Sequence, residues 1–277
     1  MTNLVKLSVT LSLIFSINNV YADREAFEST YVPLAPEKIV IQNASIYDGD
    51  GGEFFETDVL VEDGKIIAIG KDLPFSNEFR VIDATGKWVT PGIIDIHSHM
   101  GVYPAPGVRT SSDGNEATSP VTADVWAEHS IWVQDPQYAL ALTGGVTAFH
   151  ILPGSANLIG GRGVTVKNLQ RVTINSMKFP DAPHSLKMAC GENPKRVYGN
   201  RGQAPSTRMG NAAGYRKSWI QAEGYLRRLN EYEEKSDEAK ELEYAPTRDL
   251  EMETLAGVLK LSLIHISGPT RQDRISY

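Results

Sequence analysis

The stretch Trp88-Val-Thr-Pro-Gly-Ile-Ile-Asp-Ile-His-Ser-His99 sets both the fold and the chemistry of this chain. Pro91-Gly92 breaks the pattern before it, and an apolar run with polar exceptions follows. On a β-strand, side chains two apart point the same way. His97 and His99 therefore present two imidazoles to one side, with Asp95 one step deeper. Ile94 and Ile96 face the other side, where helices are expected to cover them. Two imidazoles on one strand form a good half-site for Zn²⁺ or a similar divalent ion. They fall at the C-terminal end of the strand, where barrel enzymes place their chemistry. Asp95 either orients a ligand or is a buried, hydrogen-bonded carboxylate at a strand junction.

Upstream, residues 36–90 read as β structure. Lys38-Ile-Val-Ile-Gln-Asn-Ala-Ser-Ile-Tyr47 alternates in part, and Asp48-Gly-Asp-Gly-Gly52 is a turn. Thr57-Asp-Val-Leu-Val-Glu62 and Lys65-Ile-Ile-Ala-Ile-Gly70 flank Asp63-Gly64, a tight-hairpin signal. Short strands at this spacing suggest a small sandwich or open barrel.

Downstream, Thr143-Gly-Gly-Val-Thr-Ala-Phe-His-Ile-Leu-Pro153 and Ser185-Leu-Lys-Met-Ala-Cys-Gly191 read as further strands, with a helical stretch at about 135–142 between the first two. Strands alternating with helices place this part in the α/β class, with a parallel sheet that is open or closed into a barrel. Residues 206–243 are strongly helical, with a cap at Ser206 or Thr207. The charges at 227–243 and the recurring Tyr225, Leu229 and Tyr232 suit a solvated helical arm over the barrel. A second helix is expected at 248–260.

Bulk properties narrow the function. The chain has 277 residues, a formal net charge of −7 and 41% hydrophobic residues. Without a long basic block, nucleic acid is not an expected partner. A single cysteine, Cys190, cannot form a disulfide within the chain, and its place in an apolar strand suggests a buried inert thiol. Lys6, an apolar run at 7–17, and Val20 and Ala22 before Asp23 have the three parts of a cleaved secretory signal. The expected location is therefore secreted, in the bacterial periplasm, with no membrane attachment after cleavage. Pro153 to Gly163 is rich in glycine and small polar groups and is expected to be a substrate loop, with His150 or Asn157 pointing in. Without a lysine at a P-loop position it does not suggest nucleotide binding.

Trp88 to His99, together with Ala141-Leu-Thr-Gly-Gly-Val-Thr147, Leu152-Pro-Gly-Ser-Ala-Asn-Leu-Ile-Gly-Gly-Arg-Gly163 and Leu186-Lys-Met-Ala-Cys-Gly-Glu-Asn-Pro-Lys-Arg-Val-Tyr-Gly199, resembles the amidohydrolase superfamily, in particular an exported imidazolonepropionase-like subgroup. The resemblance covers about 36–260. It implies a split β-sandwich joined to a (β/α)₈ TIM-type barrel, and one or two divalent metal ions such as Zn²⁺. It also implies hydrolysis of small-molecule amide or cyclic amide C–N bonds by metal-activated water. His97 and His99 would be ligands from the first strand. Glu192 is the first choice for a third, since a carboxylate or a carbamylated lysine often serves there, and Lys187 is the second. Strand parity alone cannot place both inward.

The resemblance is incomplete. The residues after Pro91 make room for about half of a barrel, and the catalytic aspartate implied on a later strand has no match. The final run at 261–277 reads as a non-native tail, so His265 is set aside. The expected organisation is a signal at 1–22, a linker at 23–35, a β-sandwich part at 36–90 and an incomplete barrel at 91–260, with the chain inactive by itself. Alternative functions are a metallopeptidase acting on short peptides, or a non-catalytic exported binding protein on the same fold.

Overall fold

Alternation and turn chemistry build the first of two units, 31–93, in a computed structural model that describes residues 27–35, 37–260 and 264–267. The signal read at 1–22, and most of the tail, lie outside the described residues. Strand β1 (Ile39–Tyr47) pairs antiparallel with β2 (Glu53–Glu62), which pairs antiparallel with β3 (Lys65–Gly70). Asp63 and Gly64 between β2 and β3 have φ of 52° and 72°. Positive φ at both positions is what a type I′ turn requires. Strands β4 (Arg80–Asp83) and β5 (Trp88–Val89) lie parallel to β1. Ala44, Ile46, Val59 and Ala84 form the core of this unit.

The second unit comprises the described residues from 94 onward and those ahead of 31. Its sheet runs β10-β9-β8-β7-β6, from β6 (Ile93–Ser98), β7 (Val146–Ile151), β8 (Ile159–Lys167), β9 (Ser185–Met188) and β10 (Ile264–Ser267). The C-terminal part of the expected glycine-rich loop, 159–163, begins β8, which pairs antiparallel with both β7 and β9. The sheet is thus mixed, a correction to the expected parallel order. Strand β10 pairs parallel with β9. Helix α1 (Gln137–Thr143) precedes β7. Helix α2 (Glu192–Gly199) follows β9, and α3 (Arg208–Glu233), α4 (Asp237–Glu241) and α5 (Leu250–Leu259) follow in turn.

Helix α3 starts where the Thr207 hydroxyl accepts from the Gly210 amide. It buries Asn211, Ser218, Ala222, Tyr225 and Leu229 as one stripe. That stripe packs with Leu158, Ile159, Leu186 and Leu255. A second cluster around Val102, Tyr138, Phe149, Ile151 and Val166 fills the space under β7. The expected linker is anchored in part: Lys178 Nζ donates to the Phe27 carbonyl at 2.6 Å and to Glu128 at 2.8 Å. Glu128 also faces His184 Nε2 at 3.1 Å, which completes a buried polar tie. Ile94 and Ile96, expected under helices, are exposed among the described residues.

Candidate metal and amide-hydrolysis site

Strand β6 turns Asp95 and His97 to one side and ends at Ser98, which places His99 just beyond it. The two imidazole centroids are 5.5 Å apart with planes at 82°. His99 Nδ1 donates to the Leu152 carbonyl at 2.8 Å. That bond sets the tautomer and leaves Nε2 as a lone-pair donor. The Asp95 carboxylate accepts the His97 backbone amide at 3.1 Å, so its described role is to brace the strand end.

Strand β9 brings Lys187 to His97, with Nζ 2.7 Å from Nε2. Lys187 is 1% exposed. Burial lowers its pKa to about 8. Burial, and then the Lys187 charge, hold His97 below the usual histidine range, and burial does the same for His99 against the opposing Leu152 bond. Both rings are therefore neutral near pH 7, as metal ligation requires. The donor set fits a divalent ion on one condition. A Lys187 ammonium would repel the ion, whereas a neutral amine, or a carbamate built on it, would complete a three-ligand set.

The structure corrects the order of choice for the third position. Glu192 opens α2, is exposed, and pairs with Arg196 at 2.8 Å. Among the described residues no group of three His, Cys, Asp or Glu side chains is placed to hold a metal, so Glu192 does not join the imidazoles. Gly191 is the N-cap residue of α2. The substrate assignments shift too. His150 faces Thr165 Oγ1 at 2.9 Å and Ser185 Oγ at 2.6 Å, so neither ring nitrogen is open. Burial, with the charges of His184, His97 and Lys187, pushes its pKa down to about 4. Asn157 is buried, and its amide nitrogen lies within 2.6–2.9 Å of the Glu116 and Ser119 carbonyls and Thr122 Oγ1. That nitrogen clamps the 116–122 loop, while Oδ1 is buried without a hydrogen-bond partner. Cys190 is exposed, not buried.

Sequence reasoning passed over Tyr103. Its ring meets His99 edge-on at 5.7 Å, and its amide donates to the His99 carbonyl at 3.1 Å. A Cβ at Gly114 would stand 2.2 Å from Tyr103 Cζ, and one at Gly154 would stand 2.7 Å from its hydroxyl. Two glycines thus leave room for this ring. No periodic signal marks a tyrosine in a loop. Lys187, by contrast, was implied by the family resemblance, as the second choice for a third ligand.

Fold and site together define an α/β protein in which a small β unit precedes a partial barrel with paired histidines at the end of a strand. No family model matches the chain. It is similar to the amidohydrolase tasK of Hapsidospora irregularis, 36% identical over 237 residues, which is 79% of this chain and 24% of that protein. A dihydroorotase of Lactobacillus helveticus is 46% identical over 74 residues, 27% of this chain and 16% of that protein. The crystal structure of an amidohydrolase from Thermotoga maritima superposes with a TM-score of 0.75 at 38% identity, covering 85% of this chain and 59% of that one. The chain belongs to the amidohydrolase superfamily. It spans less than two thirds of the length of each of these relatives.

Proposed function

We propose that the protein is a metal-dependent hydrolase of amide or cyclic amide C–N bonds in small molecules. The observation that carries this reading is the convergence of His97, His99 and a buried Lys187 at the end of β6. The relatives named amidohydrolase and dihydroorotase support the reaction class.

His97 and His99 would hold a divalent ion such as Zn²⁺, with Lys187 as the third ligand-bearing residue. Such an ion lowers the pKa of bound water and polarises a carbonyl. The chain's own groups prepare the site. The Leu152 carbonyl keeps the proton of His99 on Nδ1 and so points Nε2 outward. Asp95 steadies the strand at the His97 amide. Burial leaves about a tenth of Lys187 uncharged at pH 7, against about one part in three thousand for an ordinary lysine. The neutral amine can attack CO₂: an N–C bond forms, the carbonyl π pair moves to oxygen, and one proton leaves to water. The product is an anionic carbamate that replaces an opposing charge with a ligand. We read the Lys6–Ala22 pattern as an export signal to the bacterial periplasm.

Metal content per chain and hydrolysis of a cyclic amide panel by the purified protein test this reading. About one or two ions per chain is the expected outcome, falling below about 0.2 in a His97→Asn, His99→Asn double variant. Equal metal content in the double variant would refute the assignment of the site. Turnover of dipeptides but not of cyclic amides would replace the substrate class.

A further inference from the structure

We propose that the Tyr103 hydroxyl donates a hydrogen bond to the carbonyl oxygen of the substrate amide. The inference deepens the hydrolase reading and rests on it.

The argument starts from the orientation of Asn115. Its Oδ1 accepts the Ala156 backbone amide at 3.0 Å. A backbone amide can only donate, so that atom of the side chain must be the oxygen. The Nδ2 group is thereby turned to Tyr103, and it donates to the phenolic oxygen. Tyr103 is the acceptor in this contact, so its own O–H proton is not used there. The result is a neutral donor whose oxygen is fixed and whose hydrogen can turn to a ligand.

The position suits a substrate. The ring packs edge-on against His99, and the hydroxyl stands beside Gly154, two residues beyond the carbonyl that orients His99. The two elements that carry the imidazole therefore also bracket the phenol. Tyr103 is 36% exposed, so the position is open to a small molecule. A carbonyl held against the histidine centre gains most from a donor where negative charge grows on its oxygen.

Tyr103→Phe removes one oxygen and keeps the ring that fills the space beside Gly114. Glutarimide, a six-membered cyclic imide, is the probe. Two quantities are measured: kcat/KM in the zinc-loaded protein, and Kd by NMR titration of the metal-stripped protein. Tetrahydropyran, a ring of similar size without a carbonyl, is the control ligand. The variant is expected to lose about a hundredfold in kcat/KM and about tenfold in glutarimide affinity, with tetrahydropyran unchanged. Unchanged kcat/KM and Kd would overturn the role of Tyr103 and leave the hydrolase reading standing. Binding without turnover in the parent would accord with the expected inactivity of this chain by itself, and the affinity loss would then decide Tyr103 alone. Equal losses for both ligands would mean a packing role and would overturn the proposal, as would a parent that binds neither.

Discussion

Replacing Lys187 by Met should make the metal-free protein more stable at pH 7. The side chain is 1% exposed, and burial moves its pKa from 10.5 to about 8. That difference corresponds to about 3 kcal/mol of disfavoured protonation in the folded state. The sign follows from proton binding. Between pH 8 and 10.5 the unfolded chain holds the proton and the folded chain does not, so stability rises with pH across that window. Below pH 8 the whole penalty is present. Against it stands the contact with His97 at 2.7 Å, a hydrogen bond contributing about 1 kcal/mol. Methionine has similar length and fills the same volume without a charge. The net expectation is a gain of about 2 kcal/mol at pH 7, shrinking toward zero or below by pH 10.5. Urea denaturation of chelator-treated protein in CO₂-free buffer, at pH 7 and pH 10, measures both values. Tyrosine and cysteine titrations are common to the two proteins and cancel in the difference. A variant less stable than the parent at pH 7, or a difference that does not change with pH, would refute the picture of a strained buried base.

Two further substitutions probe the same unit. Burial, with Asp124 and Asp249 nearby, raises Glu251 to about 7, so its contribution to stability is full below its unfolded pKa and is lost as pH rises toward 7. Glu251→Gln should therefore gain about 1 kcal/mol at pH 8, after discounting for solvent screening, and nothing at pH 4; equal stability at pH 8 would contradict this. Gly161 has φ of +107°, and a Cβ there would stand 2.2 Å from the Val125 carbonyl oxygen. Gly161→Ala should lower stability by about 2–3 kcal/mol, read from the thermal midpoint, and a loss below about 0.5 kcal/mol would show that β8 can shift to relieve the contact.

What the sequence determined by itself was local. The Asp63-Gly64 hairpin was legible because a two-residue turn with positive φ at both positions restricts composition sharply. The pairing of His97 with His99 was legible because the strand period of two fixes which side chains share a face. The recurrence of Tyr225, Leu229 and Tyr232 marked the apolar side of a helical arm for the corresponding helical reason, and of the three Tyr225 and Leu229 are buried on α3. Parity says which side of a strand a residue occupies, however, and not which strand lies beside it. Only the tertiary structure set Lys187 against His97, ninety positions away in the chain, and turned Glu192 out to Arg196. It also made a strand of the second half of the glycine-rich segment, because β8 finds antiparallel partners on both sides. His150 and Asn157 had the right residue types for a substrate, yet both ring nitrogens of His150 are taken by Thr165 and Ser185 and the amide nitrogen of Asn157 by the 116–122 loop. Buried polar groups seek partners wherever the chain brings them, and those partners are set by distant pairing rather than by neighbouring residues.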